Sequence, residues 1–183
     1  MQFEGIDIIS PALFPHEHWN RAEVLGAITW LWLHTPPYSE APLMELGRYV
    51  LPALDNGQFA LFAEQGSILG YFSWAMLSPE TEAQYLQSDS VLHTPANWQS
   101  GSRIWIVDWF APYGDSLKMK TLTQRYLFSN QPEAYALYHR AGPGKARIVR
   151  FAGRLGGYLK LKDKWDGISS HLLFPSSEES IYK

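Results

Sequence analysis

Residues 103–115 run Arg103-Ile-Trp-Ile-Val-Asp-Trp-Phe-Ala-Pro-Tyr-Gly-Asp115. Six of the first eight positions are β-branched or aromatic, which is typical of a buried strand, and Ala-Pro-Tyr-Gly ends it. One carboxylate, Asp108, interrupts this apolar run. Because burial of an ionised carboxylate is costly, Asp108 must find a partner or its pKa must rise. Both outcomes are common at catalytic sites, and the alternative is a structural aspartate that fixes a neighbouring loop.

Outward from this strand, the composition is that of one folded domain. The chain has 183 residues, of which 46% are hydrophobic and 18% are charged, and this balance excludes a disordered protein. The absence of cysteine excludes disulfides, zinc–thiolate sites and thiol nucleophiles. Aromatic residues make up 15% of the chain, which favours either a large apolar groove or an aromatic-rich core.

Neither a membrane nor a metal is indicated. The first residues are acidic rather than basic, and no apolar run is long enough to span a bilayer, so we expect a cytoplasmic protein without stable membrane insertion. His16 and His18 have the spacing of a metal-binding pair, but no third ligand is evident in the sequence. No P-loop, dinucleotide-binding fingerprint or serine nucleophile motif is present, and Ser73 and Ser102 lack the context of a nucleophile.

The net charge of −3 conceals a segregated pattern. Residues 1–115 carry three basic and thirteen acidic side chains, whereas residues 116–164 carry eleven basic and two acidic ones. Such a basic segment attracts an anionic partner, for example nucleic acid, a phosphorylated cofactor or an acidic carrier protein. A solvated basic face is the alternative, because surface charge alone specifies no ligand.

The order of predicted elements indicates an α+β (mixed α/β) domain with a central, largely antiparallel sheet flanked by helices. These elements are helices from residues 21 and 42, strands over 58–63 and 68–77, a helix from residue 79, the strand at 103–110, a helix over 117–128, and strands over 134–140 and 145–151. We expect an irregular N-terminal arm at 1–20, a domain over 21–165 and a C-terminal tail at 166–183. Residues 87–102 are expected to form a polar connector.

Five blocks over residues 23–155 carry a family resemblance. They are Trp30-Leu-Trp32 followed by Pro36, Val50-Leu-Pro-Ala53, Gly70-Tyr-Phe-Ser-Trp-Ala75, Trp98-Gln-Ser-Gly101 and Ile106-Val-Asp-Trp-Phe-Ala-Pro-Tyr-Gly-Asp115. In order and spacing they resemble the bacterial toxin-activating lysine acyltransferases, the hemolysin-activating enzymes of RTX toxin systems. The resemblance implies a GNAT-like single domain that transfers a fatty acyl group from acyl-acyl carrier protein to the ε-amine of a lysine.

The same resemblance implies a catalytic pair, of which only one member is retained. The family aspartate corresponds to Asp108, but the family histidine falls on Tyr38. A lysine amine has a pKa near 10.4, so a base must take its proton, and a tyrosine is a poor base unless its pKa is depressed. Three explanations remain open: Asp108 is the base and Tyr38 the acid, His34 takes the vacated place, or the chain binds an acyl carrier without catalysis.

Further residues are expected around the substrates. We expect Thr35, Trp30, Trp109 and Arg103 to bind substrate, and splayed strands beside residues 106–111 to receive a phosphopantetheine arm. We expect Arg140, Lys145, Arg147 and Arg150 to bind an acidic carrier protein. No tightly bound cofactor is expected, and acyl-CoA is the alternative donor.

The acceptor is expected to be a toxin or a smaller precursor peptide carrying lysine or ornithine. By analogy alone, the family also suggests a homodimer. A catalytically silent carrier-binding module is the main rival. A nucleic-acid-binding domain comes third, because the basic segment lacks a recognised motif.

Overall fold

A computed structural model describes residues 1–36, 38–138, 145–152 and 172–173, and of the last two ranges it describes side chains for residues 147–151. Residues 141–144, which connect the last two predicted strands, and almost all of the predicted C-terminal tail lie outside the described residues. Among the described residues, no helix is both long enough and apolar enough to cross a bilayer.

Eight strands form a sheet in which the spatial order follows the chain order. They are β1 (Gln2–Phe3), β2 (Ile6–Ile9), β3 (Phe59–Glu64), β4 (Ser67–Leu77), β5 (Arg103–Phe110), β6 (Glu133–Tyr138), β7 (Lys145–Ala152) and β8 (Leu172–Leu173). All neighbours are antiparallel except β5 and β6, which are parallel. The predicted α+β class with a largely antiparallel sheet is therefore confirmed.

Helices cover the two faces of this sheet. They are α1 (Arg21–Leu33), α2 (Leu51–Asp55), α3 (Pro79–Tyr85) and α4 (Ser116–Leu122), with π-helical turns at Leu46–Val50 and Thr123–Leu127 and 3₁₀ turns at Tyr38–Glu40, Asp89–His93 and Pro95–Trp98. The Asn20 side chain caps α1 by accepting from the backbone N–H groups of Ala22 and Glu23. Helix α1 and the turn before α2 pack on one face, and α4 with its following turn packs on the other.

The N-terminal segment is not the irregular arm that its prolines and histidines predicted. Strands β1 and β2 pair with each other, and β2 pairs with β3. Ile6 and Ile8 are buried in the core, and the Ser10 hydroxyl donates to the carbonyl of Phe59 over 2.8 Å. That prediction was wrong because strands this short carry little periodic signal, and their stability comes from burial against the sheet.

The predicted connector at 87–102 is also more ordered in its packing than its composition suggests. Leu92 and Trp98 are fully buried. The Trp98 indole nitrogen donates to the carbonyl of Leu92 over 2.8 Å, which satisfies its one polar group. Two apolar side chains thus anchor an otherwise polar segment that leads into β5.

The parallel pair is the feature that positions the site. Strands β5 and β6 pair at only two positions, where Trp105 lies opposite Tyr135 and Ile106 lies opposite Ala136. Strand β5 continues beyond this pairing to Phe110. Helix α4 makes the crossover between them and packs closely on β4, where a Cβ at Gly70 would lie 2.4 Å from the Met119 sulfur. An opening therefore follows the last paired residues of β5 and β6.

Candidate active site

A cavity of about 560 Å³ lies where the pairing of β5 and β6 ends. Its walls are mainly apolar and come from β5, the turn after α4, β6 and β7: Ile106, Val107, Phe128, Ala136, Val149 and Phe151. Asp108 and Tyr38 also line it, as do the cationic side chains Lys120 and Arg147. An apolar cavity of this size with few polar groups is suited to a small organic ligand or an acyl chain.

A β-bulge in β5 orients Asp108. Ser73 of β4 lies opposite Asp108, but the next residue, Trp74, lies opposite Ile106. Val107 is therefore the extra residue of the bulge. A bulge of this kind re-aims the side chains beside it. Here the buried carboxylate belongs to the cavity lining although it sits in an apolar strand.

Asp108 has no charged partner to offset its burial. The side chain is 5% exposed, and its Oδ2 accepts a hydrogen bond from Ser73 Oγ over 3.3 Å. No ion pair within the described parts of the chain involves Asp108. Burial raises the pKa of Asp108 to about 7, the Ser73 hydrogen bond opposes this, and the charge of Asp89 adds to it. Of the two outcomes that the sequence left open for Asp108, a compensating partner or a raised pKa, the structure favours the raised pKa, with the Ser73 hydroxyl as a partial partner.

Tyr38 lines the same cavity as Asp108. It begins the 3₁₀ turn that follows α1, and the Pro36-Pro37 dipeptide separates it from the helix. Its ring lies 4.6 Å from the ring of Phe110 in an edge-to-face arrangement and 5.1 Å from that of Trp32. The structure therefore brings together two of the three predicted catalytic side chains.

The third, His34, lies outside the cavity lining. It caps the C-terminus of α1, and its Nδ1 donates to the carbonyl of Trp30 over 2.8 Å. The centroid of its exposed ring lies 4.5 Å from that of the Trp30 ring and 5.9 Å from that of the Tyr113 ring, tilted against both. The Trp30 indole donates to the Tyr113 hydroxyl over 3.2 Å. His34 and Trp30 therefore form an exposed aromatic cluster apart from Asp108.

The other predicted substrate residues divide in the same way. Trp109 lines the cavity and donates from its indole nitrogen to Ser116 Oγ over 2.9 Å. Thr35 and Arg103 do not line it. The Thr35 hydroxyl donates back to the carbonyl of Leu31 over 2.8 Å, and Arg103 forms an ion pair with Glu82.

Of the two predicted carrier-binding side chains that the structure describes, Arg147 lines the cavity and Arg150 does not. Arg150 forms an ion pair with Glu133 over 2.6 Å. Arg140 and the side chain of Lys145 lie outside the described residues. Lys120 was not predicted individually, although it belongs to the basic segment, and it lines the cavity together with Arg147.

Several of the other cationic side chains in the basic segment are engaged in ion pairs with acidic residues. Lys118 contacts Glu64 and Asp115, and Arg125 contacts Glu4. No group of three His, Asp or Glu side chains in the described part of the chain is arranged to hold a metal ion. Among the side chains of the basic segment that the structure describes, the two cations without an ion pair, Lys120 and Arg147, line the cavity.

Comparison with known proteins decides the family. The sequence model of the HlyC family, described as the RTX toxin acyltransferase family, matches residues 17–152. The chain belongs to this family. The resemblance carried by the five sequence blocks is thereby confirmed.

Relatives of this RTX toxin acyltransferase family member are identical to it at about two-fifths of the aligned residues. The leukotoxin-activating lysine-acyltransferase LktC serotype A1 of Mannheimia haemolytica is 39% identical over 76% of this chain and 80% of its own length. The protein-lysine myristoyltransferase RtxC of Kingella kingae is 38% identical over 71% of this chain and 76% of its own. Among solved structures, the loading GNATL domain of CurA from Lyngbya majuscula aligns with a TM-score of 0.45 and 14% identity, over 76% of this chain and 71% of that one.

Sequence reasoning missed one polar neighbour of the site. Ser73 was set aside because no nucleophile motif surrounds it, yet it donates to Asp108. Its membership of the Gly70–Ala75 block was the available signal. What the sequence lacked was the register between β4 and β5, which pairs Ser73 with Asp108.

Proposed function

We propose that this member of the RTX toxin acyltransferase family transfers a fatty acyl group from a thioester donor to the ε-amine of a lysine in an RTX toxin, forming an amide. The observation that carries the proposal is the buried Asp108, with a pKa of about 7, at an apolar cavity that Tyr38 also lines. The names of the relatives, leukotoxin-activating lysine-acyltransferase and protein-lysine myristoyltransferase, support this reaction class.

The proton transfer explains why a carboxylate with a raised pKa suits the reaction. The ε-ammonium of lysine has a pKa near 10.4 and is not nucleophilic until it loses a proton. An aspartate with an ordinary pKa would be a weak base toward it. Burial of Asp108 makes its carboxylate a stronger base while leaving about half of it ionised at pH 7.

The remaining steps follow from the balance of bonds and protons. The amine nitrogen attacks the thioester carbonyl, a C–N bond forms, and the C–S bond breaks. Two protons leave the original ammonium: Asp108 accepts the first before attack, which frees the nitrogen lone pair, and this proton then passes to solvent. Tyr38 donates its phenolic proton to the leaving thiolate and recovers the second from the nascent amide nitrogen. This assigns the base to Asp108 and the acid to Tyr38.

For the donor, we infer acyl-acyl carrier protein rather than acyl-CoA. Lys120 and Arg147 add positive charge to the cavity and suit the phosphate of a phosphopantetheine arm, and the apolar walls suit the acyl chain. Both donors contain that arm. An acidic carrier protein would also engage the wider basic segment, which includes Arg140, Lys145 and Arg150.

Intact-mass analysis of an acceptor tests the proposed function. We expect a leukotoxin incubated with the chain and myristoyl-acyl carrier protein to gain the mass of one or more acyl groups. The adduct should resist hydroxylamine, because an amide is stable where an ester or thioester is cleaved. Parallel reactions with myristoyl-CoA measure the donor preference. A lysine-containing or ornithine-containing peptide measures the acceptor preference, and acceptor lysines changed to arginine should stay unmodified.

Tyr38 gives the next prediction. Tyr38→Phe keeps the ring packing against Phe110 but removes the acidic proton, so we expect kcat to fall by about 10–100-fold, which is the lower part of the range for acid–base catalysis. His34→Ala is the matched control, because His34 lies outside the cavity lining, and it should keep near-wild-type activity. A large loss in His34→Ala with full activity in Tyr38→Phe would assign the loop proton transfer to His34.

The tyrosine at the family histidine position favours one second candidate, a chain that binds an acyl carrier without transferring the acyl group. Tyr38→His discriminates the two. Appearance of transfer only in this variant would support the binding module. Transfer by the natural chain excludes it.

A further inference from the structure

Ser73 is the one neighbour within the described residues that donates a hydrogen bond to Asp108. Its side chain is fully buried in β4, and its Oγ lies 3.3 Å from Asp108 Oδ2. The two residues are direct partners across the β4–β5 ladder. Because residues directly opposite each other in an antiparallel pair point to the same face of the sheet, the ladder holds these two side chains next to each other.

Within the described residues, no group other than Ser73 forms a hydrogen bond or an ion pair with the side chain of Asp108, although the cations Lys120 and Arg147 line the same cavity. Asp89 of the 3₁₀ turn at Asp89–His93 carries the same charge, and the tyrosines whose pKa the Asp108 charge raises are neutral: Tyr49, Tyr71 and Tyr85. Tyr38 shares the cavity lining. The buried hydroxyl of Tyr71 forms no hydrogen bond of normal distance and angle within the described residues, although Ser73 lies close enough to it to lower its pKa. Ser73 therefore supplies the stabilising contact.

The bulge makes this pairing specific to one register. Ser73 faces Asp108 because Val107 is the extra residue on β5, and beyond the bulge Trp74 pairs with Ile106. Without the bulge, the register of Trp74 with Ile106 would continue and place Ser73 opposite Val107 instead of Asp108. The same local irregularity thus places Asp108 in the cavity lining and keeps it opposite the serine.

We propose that Ser73 is a positioning residue for Asp108: its hydroxyl holds one carboxylate oxygen and stabilises the ionised form, so that the carboxylate is oriented and ready to accept a proton. The role in turnover rests on the proposed function, in which Asp108 is the base. The contact between Ser73 and Asp108 is a property of the fold and is testable without turnover.

Ser73→Ala removes the hydroxyl at almost no steric cost. We expect the titration midpoint of the Asp108 carboxyl, followed by ¹³C NMR and assigned with Asp108→Asn, to rise by about one pH unit. The acid limb of kcat/KM should move by the same amount, so that activity at pH 7 falls about five-fold and recovers by pH 9. Ser73→Cys keeps a weaker hydrogen-bond donor and should give a titration midpoint of Asp108 between those of the natural chain and Ser73→Ala. This variant replaces Ser73→Ala in the test if the alanine variant folds poorly.

Ser10→Ala is the matched control. Ser10 is also buried in contact with the sheet and donates to the Phe59 carbonyl, so its loss should lower the melting temperature without moving the Asp108 midpoint. An unchanged midpoint in a folded Ser73→Ala variant would overturn the inference. A natural chain that transfers no acyl group would contradict the proposed function, while the titration would still decide the role of Ser73.

Discussion

Asp108→Asn is expected to lower kcat for acyl transfer by about 10²–10⁴-fold while leaving the fold intact, since that is the range general-base catalysis supplies. Asparagine has nearly the shape of aspartate, and its side-chain oxygen can still accept the Ser73 hydrogen bond. It cannot accept a proton from the lysine ammonium. The loss should therefore fall on the chemical step and not on donor binding.

Single-turnover transfer from a preloaded acyl-acyl carrier protein measures this step directly. Asp115→Asn is the matched control, because Asp115 belongs to the same sequence block but does not line the cavity. It should keep most of the activity. Wild-type rates in Asp108→Asn would remove Asp108 from the mechanism.

The same substitution is expected to stabilise the protein at neutral and alkaline pH. The pKa of Asp108 is raised by burial from 3.8 to about 7, so the folded state holds a proton that the unfolded state has already lost. Between these two values the stability of the natural protein falls as pH rises, and above pH 7 the penalty is constant. At 1.36 kcal/mol per pKa unit it amounts to about 4 kcal/mol at most.

Urea unfolding of both proteins across pH measures this penalty. The free energy of unfolding of Asp108→Asn should equal that of the natural protein near pH 4. It should exceed that of the natural protein by an increasing amount up to pH 7 and by a constant amount at higher pH. A difference in stability that does not change with pH would contradict the raised pKa. Gain of stability together with loss of activity is the behaviour expected where a site keeps an unfavourable group for its chemistry.

The sequence was informative about β5 because its signals are local. The apolar run predicted a buried strand, and the single carboxylate in it predicted a partner or a raised pKa, as found for Asp108. Helix α1 could also be predicted from local sequence, because Asn20 caps its first turn and the Pro36-Pro37 dipeptide cannot continue the helix. Such features depend on neighbouring residues alone.

The site as a whole depends on contacts between distant segments. Twenty-five residues separate β4 from β5, so nothing local fixes the register that pairs Ser73 with Asp108, and the bulge at Val107 has no sequence mark. The cavity likewise requires that β6 lie parallel to β5 and pair with it at only two positions. Neither feature follows from periodicity.

The loop after α1 shows a third kind of limit. The spacing of the family blocks places the family histidine at Tyr38, but His34 lies in the same loop, so the sequence left open which of the two handles the proton. Packing separates them: the Tyr38 ring contacts Phe110 at the cavity, whereas His34 is held on the exposed side by the Trp30 carbonyl. Four residues of chain, with two prolines between them, are enough to point these side chains to different environments.

The most direct test is the pH dependence of kcat/KM, compared between the natural chain and Asp108→Asn. It is measured with one acceptor and one donor from about pH 5.5 to 9. In this range the lysine amine itself does not titrate, since its pKa is near 10.4. If Asp108 takes the proton from the bound ammonium, the natural chain should reach a plateau above pH 7. The kcat/KM of the variant should instead rise about ten-fold per pH unit over the whole range, because only the neutral fraction of the lysine amine can react without the base. Two parallel profiles, both without a plateau, would contradict the account.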